Sequence, residues 1–528
     1  MKKVAIGFDY GTTTSYLSVY QKEKDEARFQ ILNQGNNSKG QSSALFLDET
    51  NKLYFGEIAF CKMSHPGFFL RSPKRKLGDS RMFHATIGNS PITYAEALED
   101  FTVTLLSQGG LGLEIGDEVW LTITVPMDWT NTHYKELNRI MRHSCDKVFP
   151  NGCKLHISIV AEPIAAALYA IQSSETNSLG ERNYLVVCDS GGGTTDLAVV
   201  GFKRNVVKHR IDLELKCRQS CLNLGGDDVT RLLLEDLKDE ITSKDDSLYM
   251  RVDYLKKKLS ETEEIADENE VYKSKYVTVS RKQLEDLLEH KPYMENGETM
   301  AGRLRGLLQC LTKELCQVDP SVDLERVLIV PVGGSSQIPL FRRIYCEAFN
   351  QNTGIKLIKL NGEQSGFFDS VVHGAAYYSA MKLGILSDKG YNEVYIQEHT
   401  VFPFSVEYSN GQLQTCVSSY SKKGKYAVTF YPTDFSDDRN TFWISSIKVY
   451  RKGEEEAIDG RPDYELSIER EMYTHGIPKE DLKVIVELTI GHGKQDEENG
   501  LTLQHIHILV PHGNEDRTDF EYNEIIDN

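Results

Sequence analysis

The first strand-like run of the chain reads Val4-Ala5-Ile6-Gly7-Phe8-Asp9-Tyr10-Gly11-Thr12-Thr13-Thr14. The same order of an apolar run, an aspartate, a glycine turn and threonines returns in Leu185-Val186-Val187-Cys188-Asp189-Ser190-Gly191-Gly192-Gly193-Thr194-Thr195-Asp196. Each copy predicts a buried β-strand that ends at an aspartate and turns into a second strand. Glycines in such turns let the backbone approach a ligand, while amides and threonine hydroxyls supply hydrogen-bond donors.

The duplication of this pattern predicts a nucleotide cleft between two similar lobes. A polyphosphate with a magnesium ion has two sides, and two such loops can hold it from both. Asp9 and Asp189 then face the cation through water, because magnesium gives up its hydration shell reluctantly. One glycine-threonine turn alone would indicate an ordinary hairpin, but the repeated offset from aspartate to glycine favours the paired site. Neither loop is a Walker-type loop or a dinucleotide fingerprint, because the lysine and the strand-to-helix context are missing.

Composition narrows the class of protein. The chain has 528 residues, enough for several domains, and a formal net charge of −18. This charge argues against nucleic acid and anionic lipid as partners. No apolar run approaches the length of a membrane span, and the amino terminus enters a strand without a signal peptide, which predicts a cytoplasmic protein. The ten cysteines are scattered and are expected to be reduced thiols.

The pattern along the chain divides it into two regions. Residues 1–385 alternate strand-like segments with helix-like ones, as in an α/β domain. The strand predictions are 4–9, 15–20, 121–126, 156–161, 184–189, 196–202 and 327–332, and the helix predictions are 131–145, 163–172, 227–240, 250–268, 296–317 and 371–383. Residues 386–399 form a linker, 400–513 alternate apolar and polar residues as in an all-β domain, and 514–528 are an acidic tail that we expect to be frayed.

Two further segments carry residues suited to phosphate chemistry. Glu162 opens Glu-Pro-Ile-Ala-Ala-Ala after a strand, and it either favours a helix amino terminus or organises magnesium and water. Lys74 lies in Ser-Pro-Lys-Arg-Lys, which is either an exposed basic run or a source of positive charge for a terminal phosphate. No hydrolase triad is recognisable.

Two double glycines lie next to predicted helices. Gly333 and Gly334 follow a buried strand, where they either let a ring or sugar lie on the backbone or form an ordinary strand-to-helix turn. Gly225 and Gly226 precede a helix that an aspartate can cap.

Taken together and in this order, these motifs resemble the actin-like ATPase superfamily, and within it the seventy-kilodalton heat-shock chaperone family. The similarity covers residues 3–385 well and 400–510 loosely. It implies an α/β actin-like ATPase fold with duplicated ribonuclease-H-like lobes, followed by an all-β sandwich. It also implies magnesium-dependent ATP hydrolysis, with ATP/ADP and Mg2+ as ligands.

The resemblance assigns roles to residues by their position in the motifs. The catalytic set is Lys74, Glu162, Asp196 and Thr194. The phosphate-binding set is Gly11, Thr12, Thr13, Thr14, Gly191, Gly192, Gly193 and Thr194, and the metal set is Asp9 and Asp189, through water. The adenosine-binding set is Gly225, Gly226, Asp253, Lys256, Lys257, Ser260, Gly333, Gly334, Ser335, Gln337 and Ile338.

The chain also departs from the family pattern. Gln337 replaces an arginine that usually stacks on adenine, which implies weaker nucleotide binding. Tyr134 replaces an arginine used in interdomain coupling, and residues 394–398 lack the usual leucine-rich linker. The sequence ends where a helical lid would begin, so rapid peptide exchange is expected.

We therefore expect a slow chaperone-like ATPase that couples nucleotide state to polypeptide binding by its β domain. Its partners would be extended or unfolded polypeptide, or a dedicated protein client, together with co-chaperones. The alternative is a nucleotide-gated interaction module or scaffold with little or no ATPase activity, which the altered linker favours. A small-molecule kinase lacks a recognisable carboxylate base, and the β domain argues against a nucleotide-dependent filament.

Overall fold

The computed structural model describes residues 2–23, 26–31, 40–74, 85–126, 131–172, 183–205, 207–237, 247–261, 264–267, 277–294, 296–349, 366–386, 393–397, 404–409, 411–418, 421–436, 440–450, 462–492, 501–512 and 518–525. The chain forms two compact units, Met1–Ile396 and Gln397–Asn528. The boundary between them falls inside the segment 386–399.

The first unit mixes strands and helices. Its strands are β1 (Lys3–Asp9), β2 (Thr14–Glu23), β3 (Glu26–Ile31), β4 (Gln41–Ser42), β5 (Ala44–Asp48), β6 (Leu53–Phe55), β7 (Gly67–Arg71), β8 (Glu118–Val125), β9 (Lys154–Ala161), β10 (Asn183–Ser190), β11 (Thr194–Asn205), β12 (Arg210–Leu222), β13 (Glu264–Asp267), β14 (Val277–Ser280), β15 (Leu328–Val332) and β16 (Glu393–Gln397). Its helices are α1 (Glu57–Cys61), α2 (Tyr94–Gln108), α3 (Asn131–Val148), α4 (Glu162–Ile171), α5 (Gly226–Leu237), α6 (Ser247–Glu261), α7 (Arg281–His290), α8 (Met300–Val318), α9 (Pro339–Ala348) and α10 (Gly366–Lys382).

The amino-terminal sheet places the first aspartate loop at the end of a buried strand. Its strand order is β3-β2-β1-β8-β9, with β4 paired to β2. Strand β1 runs antiparallel to β2 and parallel to β8. The apolar residues Val4–Phe8 are buried, whereas Asp9, the last residue of β1, is partly exposed. The sequence pattern therefore puts this carboxylate where the buried strand ends.

A second sheet carries the second aspartate loop in the same way. Its strand order is β15-β10-β11-β12-β16. Strand β10 runs antiparallel to β11 and parallel to β15, and β11 runs antiparallel to β12. In each sheet, the strand that carries the aspartate thus has one antiparallel and one parallel neighbour. Asp189 is the second-last residue of β10 and is partly exposed.

Helices α4 and α10 pack against each other with their backbones in close contact. A Cβ atom built on Gly374 of α10 would lie 1.8 Å from the carbonyl oxygen of Ala165 in α4. Helix α10 also packs on β1, where a Cβ atom on Gly7 would lie 2.2 Å from the carbonyl oxygen of Val372. Small residues are therefore required where α10 meets both its neighbours. In the described part of the chain, no helix combines the length and apolar character that a membrane span needs.

The second unit is built from two antiparallel sheets. Its strands are β17 (Phe404–Tyr408), β18 (Gln412–Val417), β19 (Gly424–Phe430), β20 (Thr441–Tyr450), β21 (Tyr464–Tyr473), β22 (Val484–His492), β23 (Leu501–Pro511) and β24 (Thr518–Ile525). The sheet orders are β18-β17-β20-β21 and β19-β22-β23-β24. Apolar residues of both sheets form one core, including Val406, Ile447, Val486 and Ile508. This arrangement is a β-sandwich.

Most of the predicted elements are present, with small shifts at their ends. The alternation of Val484, Val486, Leu488 and Ile490 is confirmed, because all four side chains are buried on one face of β22. The predicted turn at Asn499 and Gly500 lies outside the described residues.

Two predictions about local structure were wrong. The helix predicted over 250–268 ends at Glu261, and Glu264–Asp267 form strand β13, which pairs with β14. The acidic tail 514–528 was expected to fray, but Thr518–Ile525 form β24 along β23. The reason is that Phe520 inserts into the core of the second unit, which fixes a strand in which the neighbouring Glu521 is exposed.

The segment 386–399 also contains an ordered strand. Strand β16 extends the second sheet beside β12. Val394 and Ile396 pack against the core of the first unit, while Glu393 and Tyr395 are exposed. Alternation of apolar and polar residues therefore lets Glu393–Gln397 pair with the sheet although this stretch contains no leucine.

Candidate nucleotide and catalytic site

The two glycine-threonine loops lie face to face in the first unit. A Cβ atom built on Gly192 would lie 1.8 Å from the hydroxyl oxygen of Thr13. The Thr13 hydroxyl is buried and has no hydrogen-bond partner among the described residues. A buried hydroxyl without a partner is costly, so this pair of loops offers a donor suited to a bound anion.

Neighbouring residues fix the conformation of each loop. Ser43 holds the first loop, since its amide donates to the carbonyl oxygen of Thr13 at 2.8 Å and its hydroxyl donates to that of Gly11 at 2.7 Å. The second loop is held by the start of α5, where the amide of Gly226 donates to the carbonyl oxygen of Gly191 at 3.0 Å. The sequence pattern identified Gly226 but gave no signal for Ser43, which lies in a strand-rich segment without a motif.

Lys74 and Glu162 form a buried ion pair beside the loops. The Nζ atom of Lys74 lies 2.5 Å from Oε1 of Glu162, and the two side chains are 5% and 14% exposed. Lys74 follows β7, and Glu162 is the first residue of α4. Lys74 is therefore not part of an exposed basic surface, whereas Glu162 both begins α4, as the helix-start alternative predicts, and contacts Lys74.

The carboxylates around this pair influence one another. Burial, followed by the charge of Glu162, raises the pKa of Asp9 to about 7, with Lys74 opposing the shift. Burial and the charges of Glu162, Asp196 and Asp9 raise the pKa of Asp189. Burial alone would lower the pKa of Lys74, but Glu162, Asp9 and Asp189 hold it above its usual value. If all were ionised, these carboxylates would outnumber the one ammonium group of Lys74, so the raised pKa values of Asp9 and Asp189 mark a place where a bound cation would favour their charged forms.

Thr124 is a further residue of this cluster that the sequence pattern did not single out. Its hydroxyl is buried and donates to Oδ1 of Asp9 at 2.9 Å. Thr124 pairs with Asp9 across the parallel strands β1 and β8. The contact depends on strand register, so no local signal in the sequence could have revealed it.

The predicted adenosine segments join the second loop. The hydroxyl of Ser335 donates to the carbonyl oxygen of Gly191 at 2.8 Å. Gly333 has φ of 79° and its Cα abuts Asp189, because a Cβ atom there would lie 2.5 Å from Oδ1. Ile338 is buried, whereas Gln337 is partly exposed at the end of the short 3-10 helix Gly334–Gln337.

Lys256 connects the predicted residues on α6 to the start of α5, next to the second loop. Its Nζ atom donates to the carbonyl oxygen of Gly226 at 2.7 Å and to Oδ1 of Asp253 at 2.6 Å. Lys257 pairs with the other Asp253 oxygen at 2.7 Å and is 70% exposed. The Ser260 hydroxyl donates to the carbonyl oxygen of Lys256 at 3.4 Å. Lys256 therefore supports the loop structure, while Lys257 projects into solvent.

The Asp253 cluster predicts an acid-dependent loss of stability. Burial would raise the pKa of Asp253, but Lys256 and Lys257 lower it below its usual value. A depressed pKa stabilises the fold above the ordinary carboxyl pKa, and this stabilisation fades as the pH falls below about 4. Asp253→Asn should therefore be less stable than the wild type at neutral pH, with a difference that shrinks in acid. Denaturant unfolding at several pH values measures this difference, and a difference independent of pH would contradict the assignment.

Arg71 makes another contact that the sequence did not predict. Its Nη2 atom lies 2.8 Å from Oδ1 of Asp227, and its guanidinium lies 4.8 Å from the ring centre of Tyr249. Asp227 follows Gly226 directly, so the carboxyl end of β7 is tied to the helix that holds the second loop. The two partners are 156 residues apart, with no motif at Arg71.

Three of the carboxylates open onto a cavity that is continuous with solvent. Glu162, Asp189 and Asp196 line it, together with Ser220 and Arg218 of β12. In the described ranges, no three carboxylate, histidine or cysteine side chains lie close enough together to ligate one metal ion directly.

Comparison with known sequences gives the family. The model of the Hsp70 protein family matches residues 155–422, about half of this 528-residue chain. The chain belongs to the Hsp70 family. The resemblance inferred from the aspartate-glycine loops and the glycine-rich segments is thereby confirmed.

Relatives of the chain within the Hsp70 family are distant. The heat shock 70 kDa protein of Neurospora crassa is 24% identical over 453 residues, which cover 78% of this chain and 63% of that protein. The chaperone protein DnaK of Thermotoga petrophila is 22% identical over 441 residues, which cover 80% of this chain and 66% of that protein. The chain thus spans a little under two thirds of the length of these relatives.

Proposed function

We propose that this Hsp70-family chain binds and slowly hydrolyses ATP with magnesium, and that its β domain binds polypeptide according to nucleotide state. The main support is the arrangement of two facing phosphate-type loops around the buried pair of Lys74 and Glu162. The matching pairings in the two sheets support duplicated actin-like lobes within residues 1–385. We take 400–513 as the substrate domain and the cytoplasm as the location.

The residues around the two loops fit a magnesium nucleotide. The unpartnered hydroxyl of Thr13 would donate to a phosphate, and the lack of a side chain at Gly192 lets the second loop approach this hydroxyl closely. Asp9 and Asp189 would hold the ion through water, which suits carboxylates that do not converge on one point. When bound, magnesium would neutralise charge on the phosphates.

The remaining steps fall to side chains of this chain. Lys74 would face the terminal phosphate and stabilise the charge that develops on it. Asp196 would accept the proton of the attacking water as the water oxygen bonds to phosphorus and the bond to the departing ADP breaks. Glu162 keeps Lys74 charged and in place through the 2.5 Å contact. Positioning and charge neutralisation therefore account for the catalysis.

The β-sandwich is suited to binding an extended or unfolded polypeptide. Both its sheets have edge strands, whose backbone groups can pair with an added strand. We also expect co-chaperones as partners, because the chain belongs to the Hsp70 family.

Calorimetry with ATP, ADP and GTP, followed by phosphate release, tests the nucleotide part of this proposal. We expect ATP and ADP to bind more tightly than GTP, and phosphate release to require magnesium. Addition of a chelator should stop the release, and renewed magnesium should restore it. Absence of nucleotide binding would refute the proposal.

A nucleotide-gated scaffold with little hydrolysis is the second candidate. Gln337 in the adenosine segment and Tyr134 in α3 replace arginines of the family pattern, which favours weak binding and weak coupling. A fluorescent unfolded peptide, titrated with and without ATP, separates the two candidates. Peptide affinity that changes with ATP supports the chaperone, whereas no affinity in either state supports the scaffold.

A further inference from the structure

Strand β12 supports the strand that carries Asp196. The register pairs Asp196 of β11 with Ser220 of β12, and Ala198 with Arg218. Residues paired across antiparallel strands point to the same face of the sheet. The Ser220 hydroxyl lies 2.5 Å from Oδ1 of Asp196 and donates a hydrogen bond to it. Since a carboxylate offers only acceptors, the serine is the donor.

Asp189 of β10, on the other side of β11, explains why a hydrogen-bond donor to Asp196 is useful. Strand β10 pairs Asp189 directly with Asp196, so two carboxylates stand side by side. Two carboxylates that share a site disfavour each other's charged form. The hydrogen bond from Ser220 favours the charged form of Asp196 and holds its side chain from the other strand.

Ser220 differs from an ordinary cross-strand partner because it also lines the cavity. Ser220 is exposed and lines the same cavity as Asp196, Asp189 and Glu162. Arg218, two residues earlier on β12, also lines this cavity. The hydroxyl therefore lies at the boundary between the acidic cluster and solvent, where a water molecule can enter.

We infer that Ser220 is a positioning residue for hydrolysis, and that its hydroxyl fixes the Asp196 carboxylate so that it accepts the proton of the attacking water. This role rests on the proposed ATPase function and adds a residue to it. Ser220 does not touch the nucleotide in this role, so it changes turnover and leaves ATP affinity unchanged. An ordinary structural serine would change thermal stability and leave turnover unchanged.

The test compares the wild type with Ser220→Ala, Ser220→Thr and the control Ser107→Ala. Ser107 is an exposed serine of α2, far from the acidic cluster in the sequence. Phosphate release at saturating magnesium-ATP gives kcat, calorimetry gives the ATP affinity, and thermal unfolding reports folding. Ser220→Ala should lower kcat about tenfold, the size expected for a lost hydrogen bond to a charged group. Its ATP affinity and Tm should stay at wild-type values, as should kcat in Ser107→Ala.

The threonine variant decides whether the hydroxyl is responsible. Ser220→Thr keeps the donor and should restore kcat to within about twofold of the wild type. An unchanged kcat in Ser220→Ala overturns the inference, and so does a Ser220→Thr variant as slow as Ser220→Ala. A wild type without phosphate release overturns the proposed ATPase together with this role, whereas an active wild type with an unaffected Ser220→Ala overturns the role alone.

Discussion

Lys74→Ala is expected to lower the rate of ATP hydrolysis by about 10² to 10³-fold, the usual result of removing one group that stabilises transition-state charge. Lys74 is 5% exposed and lies 2.5 Å from Glu162. Its loss leaves Asp9, Asp189 and Glu162 without the ammonium group that faces them. ATP should still bind, because Ser43 and Gly226 hold the two loops through their own hydrogen bonds.

Single-turnover phosphate release and calorimetry measure the two effects of Lys74→Ala separately. Lys154→Ala is the matched control, since Lys154 also forms an ion pair, with Glu118 at 3.1 Å, but is 67% exposed on β9. An exposed pair of this kind contributes little, so the control should hydrolyse ATP at the wild-type rate. Unchanged hydrolysis in Lys74→Ala would refute the role of Lys74, and lost ATP binding would show that it acts earlier than the chemical step.

Gly374→Ala should destabilise the first unit by about 3 kcal/mol, the upper range for overpacking. The added Cβ atom would lie 1.8 Å from the carbonyl oxygen of Ala165 and 2.4 Å from its carbonyl carbon. Both atoms belong to the backbone of α4, so no side chain can rotate away. The helices α4 and α10 would have to separate, which loosens the packing of α10 on β1.

Gly306→Ala is the control for Gly374→Ala. Gly306 also lies inside a helix, α8, but a Cβ atom there would meet nothing within 4 Å. Alanine has a higher helix propensity than glycine, so this variant should be more stable by about 0.5–1 kcal/mol. Denaturant unfolding of both variants gives the two free energies. Equal stability of Gly374→Ala and the wild type would contradict the close contact of α4 and α10.

Sequence patterns predicted the individual elements well where a single physical rule governs them. The apolar run Val4–Phe8 is buried because both faces of β1 are covered, one by helix α10 and the other by the apolar core that contains Ile6 and Phe8. The alternation in β22 gave the buried face of the sandwich in the same way. The predictions failed at 250–268 and 514–528, where propensity and charge suggested a helix and a frayed tail. Pairing of β13 with β14, and burial of Phe520, override these local signals.

The site residues also fall into two groups, those that a local motif revealed and those that only the folded structure revealed. The motifs pointed to Asp9, Asp189 and the glycine loops, because a close backbone approach requires glycine and leaves a mark in the sequence. Thr124 and Ser43 left no such mark, although each holds one of these motifs in place through a hydrogen bond. Hydroxyl residues in strands are common, so only their register distinguishes the ones that act.

Short-range periodicity and turn chemistry along the chain are enough to indicate the family, the aspartate-glycine loops and the change from α/β to all-β character. The contacts of Lys74 with Glu162, 88 residues away, and of Ser335 with Gly191, 144 residues away, become visible only in the folded chain. Such contacts depend on how sheets and helices pack in three dimensions. Packing depends on many weak contacts that are distributed over the whole unit, so a short stretch of residues cannot predict it.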